Sequence, residues 1–130
     1  MASEDLRLDE IGQIAIGVRD LDRAVAFYRD VLGMKFLFQA PPGLAFFSCG
    51  GVRVMLDVPV RKENDHPASI IYYRVPDVKE AHRALAARGA RFFADPHVVH
   101  RTGAYELWMA FFHDPDENVL AVMAEVPTKG

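Results

Sequence analysis

The chain contains the same sequence pattern twice. Residues 13–34, QIAIGVRDLDRAVAFYRDVLGM, and residues 70–90, IIYYRVPDVKEAHRALAARGA, both begin with an apolar segment ending in Val-x-Asp and continue into an amphipathic segment closed by glycine. The segments further along also correspond, because residues 45–56 and 110–123 both begin Ala-Phe-Phe. A repeat period of roughly fifty to sixty residues is typical of duplicated supersecondary units. The pattern predicts two tandem βαβββ modules.

We expect one domain over residues 1–130, with module one at 9–60, a linker at 61–68 and module two at 69–126. The chain is 51% hydrophobic and 25% charged, and its length suits one core rather than two. Its net charge of −3 gives no basic surface for nucleic acid or anionic membrane, so neither is expected as a partner. One cysteine and the charged first ten residues favour a cytoplasmic location.

Both predicted helices carry start and stop signals. Asp20 and Asp77 stand where an N-cap carboxylate accepts the free amide protons of the first turn. Gly33 and Gly89 follow the last apolar residue of each helical stripe, where a left-handed residue ends a helix. The two aspartates are therefore interpreted as helix caps rather than catalytic groups.

The repeated elements resemble the vicinal oxygen chelate superfamily, which includes glyoxalases, bleomycin resistance proteins and extradiol dioxygenases. The resemblance is carried by the strand ending at Asp20, the segment FYRDVLGM over residues 27–34, and the hairpin DPDEN over residues 114–118. It implies an α+β fold of two tandem βαβββ modules, whose curled mixed sheets form a cup around a small-molecule site. Members with two modules commonly pair, so the resemblance also implies a homodimer.

Many members of this family bind a metal through four side chains in strands one, four, five and eight. Carried across position by position, these slots hold Gln13, Met55, Ile70 and Ala121. Of the four, only the glutamine amide can coordinate a cation, and divalent metals need several carboxylates or imidazoles. We therefore expect no metal at these positions and no other cofactor.

Strand parity predicts which side chains line the cup, because alternate residues of a strand point to opposite faces. In strand seven, Leu107, Met109 and Phe111 are taken as the core set, which places Glu106 and Trp108 in the cup and turns His113 away. The predicted ligand-binding residues are Gln13, Phe47, Arg53, Met55, Asp57, Ile70, Arg74, Trp108, Phe112, Ala121 and Met123.

Three functions remain open. The first is a metal-independent isomerase or lyase acting on a small aromatic or carbonyl-bearing metabolite, with Glu106 as a general base of raised pKa and His100 or Tyr72 as its acid or oxyanion partner. The second is non-catalytic binding of a drug or antibiotic, as in resistance proteins. The third is a metal enzyme with a displaced site at His97, His100 and Glu106, which requires an irregular strand to bring both histidines to one face.

Overall fold

The computed structural model describes residues 6–128, and its elements repeat one order. Module one contains β1 (Gln13–Gly17), α1 (Leu21–Ala26), β2 (Lys35–Ala40), β3 (Leu44–Cys49) and β4 (Val52–Asp57). Module two contains β5 (Ile71–Arg74), α2 (Val78–Ala87), β6 (Arg91–Arg101), β7 (Tyr105–His113) and β8 (Val119–Pro127). The predicted βαβββ duplication is confirmed. Within residues 6–128, no helix is long and apolar enough to cross a bilayer.

Each module forms its own four-stranded mixed sheet. Sheet one has the order β1-β4-β3-β2 and sheet two has the order β5-β8-β7-β6. The β1/β4 and β5/β8 pairs are parallel, whereas the remaining neighbours are antiparallel. Across the described part of the chain, no strand pairing joins the two sheets, so the sheets do not close into one barrel.

The helix boundaries follow the predicted capping chemistry. The Asp20 carboxylate accepts from the Arg23 amide at 3.1 Å, and the Asp77 carboxylate accepts from the Glu80 amide at 3.2 Å. After Ala26, α1 continues as a π-helical turn over Phe27–Val31 and ends before Gly33, which has φ +72°. A left-handed residue suits glycine, because glycine has no Cβ to clash with the backbone.

One hydrophobic core serves both modules. It includes Ile16, Tyr28 and Phe47 from module one, and Phe112 and Leu120 from module two, all at most 1% exposed. The four of these residues that belong to strands lie on the side of each sheet that packs against a helix, here called the helix face. The opposite side is called the open face. Because the two modules share one core, we expect them to fold as one cooperative unit.

Candidate functional site

The open face of sheet one carries a small network of polar and aromatic side chains. The Arg53 guanidinium donates to the Gln13 amide oxygen at 3.0 Å and lies 5.0 Å from the centre of the Phe46 ring. Phe46 stacks on Phe38, with ring centroids 4.6 Å apart, and the Gln13 amide nitrogen lies 3.7 Å from the Met55 sulfur. Arg53, Gln13 and Met55 therefore lie together on the predicted face.

A cavity of about 190 Å³ lies beside this network, at the end of sheet one. Its lining includes Met55 and Asp57 from β4 and His66 from the linker. His66 Nδ1 lies 3.0 Å from the Pro67 carbonyl oxygen, which can only accept, so Nδ1 carries the proton and Nε2 is left as an acceptor in the neutral ring. His66 is not among the site residues predicted from the sequence, because local pattern does not show how a linker folds back over a sheet.

The open face of sheet two is aromatic. Tyr72 contacts Phe111 edge to face, with ring centroids 5.9 Å apart. The His97 ring stacks on Phe111, with centroids 6.3 Å apart. Phe93 stacks on His113 at 4.5 Å and lies 6.0 Å from Phe111. Tyr72 is 42% exposed and Phe93 is 54% exposed, which leaves broad aromatic surface open to a ligand.

Arg74 and several apolar side chains border this aromatic surface. Arg74 pairs across the sheet with Met123, which pairs with Met109, so the three side chains share the open face. Ala121 sits on the same face between Tyr72 and Phe111, and it is 0% exposed. The predicted positions Tyr72, Arg74, Ala121 and Met123 are thus brought together, and Ile70, 45% exposed, comes immediately before β5.

The strand-seven parity prediction was wrong. Ala110 and Phe112 are 0% and 1% exposed on the helix face, which also holds Trp108, while Phe111 lies on the open face. His113 accordingly stacks on the open face instead of turning away from it. Both faces of β7 are apolar, so side-chain character did not distinguish them. Phe47, predicted to line the cup, is also 0% exposed in the core.

Glu106 lies on the helix face, away from the predicted cup. Its carboxylate accepts from the Arg101 guanidinium at 2.8 Å and from the Trp108 indole N–H at 3.2 Å. The bond from Arg101, followed by that from Trp108, lowers the pKa of Glu106 below its ordinary value. The expectation of a raised pKa is therefore wrong. The Trp108 ring packs beneath the Lys79 ammonium of α2, 4.6 Å from the ring centre.

The three residues of the displaced metal site do not converge. A register shift between Val98 and His100 brings His97 and His100 to the face of Met109 and Leu107, as an irregular strand allows. Glu106 points to the opposite face and is bound to Arg101. Within residues 6–128, no group of three or more histidine, cysteine, aspartate or glutamate side chains is arranged to hold a metal ion.

The four slots that the family resemblance assigns to a metal also lack suitable donors. Arg53 already donates to the Gln13 amide oxygen, and a guanidinium beside that oxygen repels a cation. Met55 offers a thioether, which suits soft metals, while Ile70 and Ala121 offer hydrocarbon. This donor set does not fit a divalent cation of the kind that the family binds.

Comparison with known proteins agrees with this architecture. The lactoylglutathione lyase of Agrobacterium tumefaciens is 25% identical, with 91% of this chain and 95% of that chain covered and a TM-score of 0.67. A member of the glyoxalase/bleomycin resistance protein/dioxygenase superfamily from Sphaerobacter thermophilus is 23% identical, with 92% of this chain and 100% of that chain covered and a TM-score of 0.77. A glyoxalase-related enzyme from Fulvimarina pelagi is 19% identical, with coverages of 90% and 88% and a TM-score of 0.72.

No curated protein is significantly similar to the chain. A family model described as Glyoxalase/Bleomycin resistance protein/Dioxygenase superfamily matches residues 10–122, which span both modules. The duplicated βαβββ order and the two mixed sheets are the architecture expected of that group. The chain therefore belongs to the glyoxalase/bleomycin resistance protein/dioxygenase superfamily.

Proposed function

We propose that this protein binds a small, flat, anionic aromatic molecule on the open face of sheet two, without a metal ion. The observation that carries the proposal is the aromatic cluster around Phe111, which presents Tyr72 and Phe93 to solvent, with Arg74 two residues after Tyr72 on the same face of β5. Aromatic rings supply large flat contact area, and a guanidinium binds a carboxylate through two parallel hydrogen bonds. Small-molecule sites are usually concave, mostly apolar clefts with a few polar groups, so this exposed face would need a cover to enclose a ligand.

Binding is favoured over the predicted Glu106 chemistry, because the groups of that mechanism are separated. Glu106 is bound to Arg101 on the helix face of sheet two, whereas Tyr72 and His100 lie on the side of the open face. A general base has to reach the proton that it removes, directly or through one water. A carboxylate on the other side of the sheet does not meet this requirement.

A second copy of the chain would complete the site. Phe38 on sheet one and Tyr72 on sheet two are 46% and 42% exposed, so both open faces offer apolar area to a partner. If sheet one of one protomer covers sheet two of the other, Arg53 and Arg74 come to the same cavity. Two arginines would strengthen the preference for an anionic ligand.

The cytoplasmic location remains a prediction from the single cysteine.

A second candidate function is metal-independent proton transfer at the cavity beside sheet one. His66 and Asp57 line that cavity together, and the Nδ1 bond of His66 leaves Nε2 able to accept a proton. The name of the Agrobacterium neighbour, lactoylglutathione lyase, also supports an enzymatic alternative. In this case His66→Gln abolishes turnover of an α-hydroxy or carbonyl substrate, while Tyr72→Ala leaves it measurable.

Calorimetric titration with 2-naphthoate, in buffer with EDTA, tests the proposed function. We expect Tyr72→Ala to weaken binding by about 1–3 kcal/mol, through loss of a flat contact. Arg74→Gln should weaken the binding of 2-naphthoate but not that of the uncharged 2-naphthol. Glu106→Gln is the matched control on the helix face and should bind as the wild type does. Equal losses in Tyr72→Ala and Glu106→Gln, or binding that requires a divalent metal, would contradict the proposal.

A further inference from the structure

We propose that the groove between the two modules, on the helix face of sheet two, is a second small-molecule site that takes an aliphatic carboxylate. The groove has a volume of about 520 Å³, within the range of small-molecule pockets. Its walls come from both modules: the end of the π-helical turn and β2 on one side, α2 and β5 on the other. It is separate from both open faces, because Tyr73 lines the groove while the adjacent Tyr72 points to the other side of β5.

The lining of the groove is predominantly hydrocarbon. Leu32, Met34, Ala84 and Leu85 are among the side chains that form it, with Phe112 below them. No acidic side chain of the described residues takes part in the lining. Such a surface favours a flexible apolar body, and methionine adapts readily to the shape of an aliphatic chain.

The Tyr73 hydroxyl is enclosed below the groove, out of contact with a ligand that lies in it. The Tyr73 hydroxyl is buried and makes no hydrogen bond to any described residue. Burial raises the pKa of Tyr73, so the hydroxyl keeps its proton. The nearby Asp114 carboxylate cannot serve as its acceptor, because that carboxylate already receives four hydrogen bonds, from Tyr28, from the Asp116 amide and twice from Asn118.

Tyr73→Phe therefore changes no atom that a ligand in the groove would contact, and it serves as a control for the other variants of the groove.

The groove is also bordered by positive charge. Lys35 and Arg88 both contribute to its lining, and neither forms a salt bridge with a carboxylate in residues 6–128. Arg88 is held in place by its bond to the Val31 carbonyl oxygen at 3.1 Å, which ties α2 to module one at this point. Two basic groups, an apolar wall and no acidic neighbour select an anion with an apolar tail.

The single cysteine provides a direct readout, because Cys49 also lines the groove and is partly exposed. Its alkylation by iodoacetamide is followed by mass spectrometry, with and without octanoate below the micelle concentration. We expect octanoate to slow alkylation at least threefold in the wild type and equally in Tyr72→Ala, whose change lies on the open face.

Three variants of the groove complete the test. Ala84→Leu fills the groove and should abolish the protection, Lys35→Gln should reduce it at least threefold, and the control Tyr73→Phe should leave it unchanged. Tyr73→Phe removes only an unpaired hydroxyl and is expected to fold normally. An alkylation rate that octanoate does not change in the wild type would overturn the proposal. The same holds if Ala84→Leu is protected as fully as the wild type, or if protection disappears in Tyr72→Ala.

Discussion

Asp114 is the residue that ties the two modules together most tightly. It is 0% exposed, and its carboxylate accepts from the Tyr28 hydroxyl of module one at 2.8 Å. Asn118 donates to the same carboxylate and also to the Gly17 carbonyl oxygen at 3.0 Å. Burial, reinforced by the Asp114 charge, raises the pKa of Tyr28, so the hydroxyl remains a donor at any physiological pH. The hairpin motif thus has a structural role.

Two buried tyrosines should respond differently to removal of the hydroxyl. Tyr28→Phe removes one of the donors to a buried carboxylate and should lower the free energy of unfolding by about 1–3 kcal/mol. Tyr73→Phe removes a hydroxyl without a partner and should leave stability unchanged or raise it. Urea unfolding of both variants measures the difference. A Tyr73→Phe variant less stable than Tyr28→Phe would contradict the hydrogen-bond assignment.

Glu117 holds a backbone conformation that glycine would hold more easily. Its φ is +66°, a left-handed conformation in which a Cβ is strained. Glu117→Gly should stabilise the protein by about 1 kcal/mol, because the strain of about 1–2 kcal/mol exceeds the loss of exposed pairs with Arg91 and His113. Glu117→Ala is the control, since it loses those pairs and keeps the Cβ. Thermal unfolding that ranks alanine above glycine would exclude strain.

Glu106 should make stability depend on acid pH. Its pKa is lowered in the folded protein, so ionised Glu106 stabilises the fold above the ordinary value of 4.5, and this contribution is lost as the pH falls through the folded pKa. Between pH 6 and pH 3, the wild type should therefore lose more stability than Glu106→Gln. Urea unfolding followed by Trp108 fluorescence measures both proteins. Equal pH dependence of stability in the two proteins would show that the bond from Arg101 to Glu106 contributes nothing to the free energy of unfolding.

At the scale of elements, strand parity succeeded wherever only one face of a strand is strongly apolar. Ile16 and Val54 are buried on the helix face, as their alternation with Gln13 and Arg53 predicts. It failed in β7, where large apolar side chains occupy both faces. In β7 the helix face holds the small Ala110 beneath α2, and side-chain size does not indicate which face of the strand is buried against the helix. Close packing against a neighbouring element, rather than the strand's own sequence, decided the orientation.

The position of the linker could not be predicted from the sequence, for a different reason. His66 reaches the cavity beside Asp57 because the chain folds back over sheet one between the modules. Local pattern identifies repeats and caps, whose causes lie within a few residues. A loop's position depends on contacts distant in sequence, such as the His66 carbonyl oxygen lying near Gly17. The part of the candidate site carried by β1, β4, β5 and β8 was therefore predictable.

At the scale of the whole molecule, the open faces lead us to expect a homodimer. Phe38 stacks on Phe46 and remains 46% exposed, which is costly for a large apolar side chain unless a partner covers it. Sedimentation velocity at micromolar concentration should give a dimer. Phe38→Glu should shift the protein toward monomer, whereas Val60→Glu, at a 74% exposed position after β4, should not. A wild-type monomer at that concentration would contradict this expectation.

Amide chemical-shift mapping by NMR distinguishes ligand binding on the open face of sheet two from binding on its helix face. Isotope-labelled protein is titrated with 2-naphthoate in the presence of EDTA. The largest saturable shifts should fall on Tyr72, Phe111 and Met123, while Glu106 and Trp108 on the helix face change little. Largest shifts at Glu106 and Trp108, or no saturable shift on the open face, would rule out the proposed binding site.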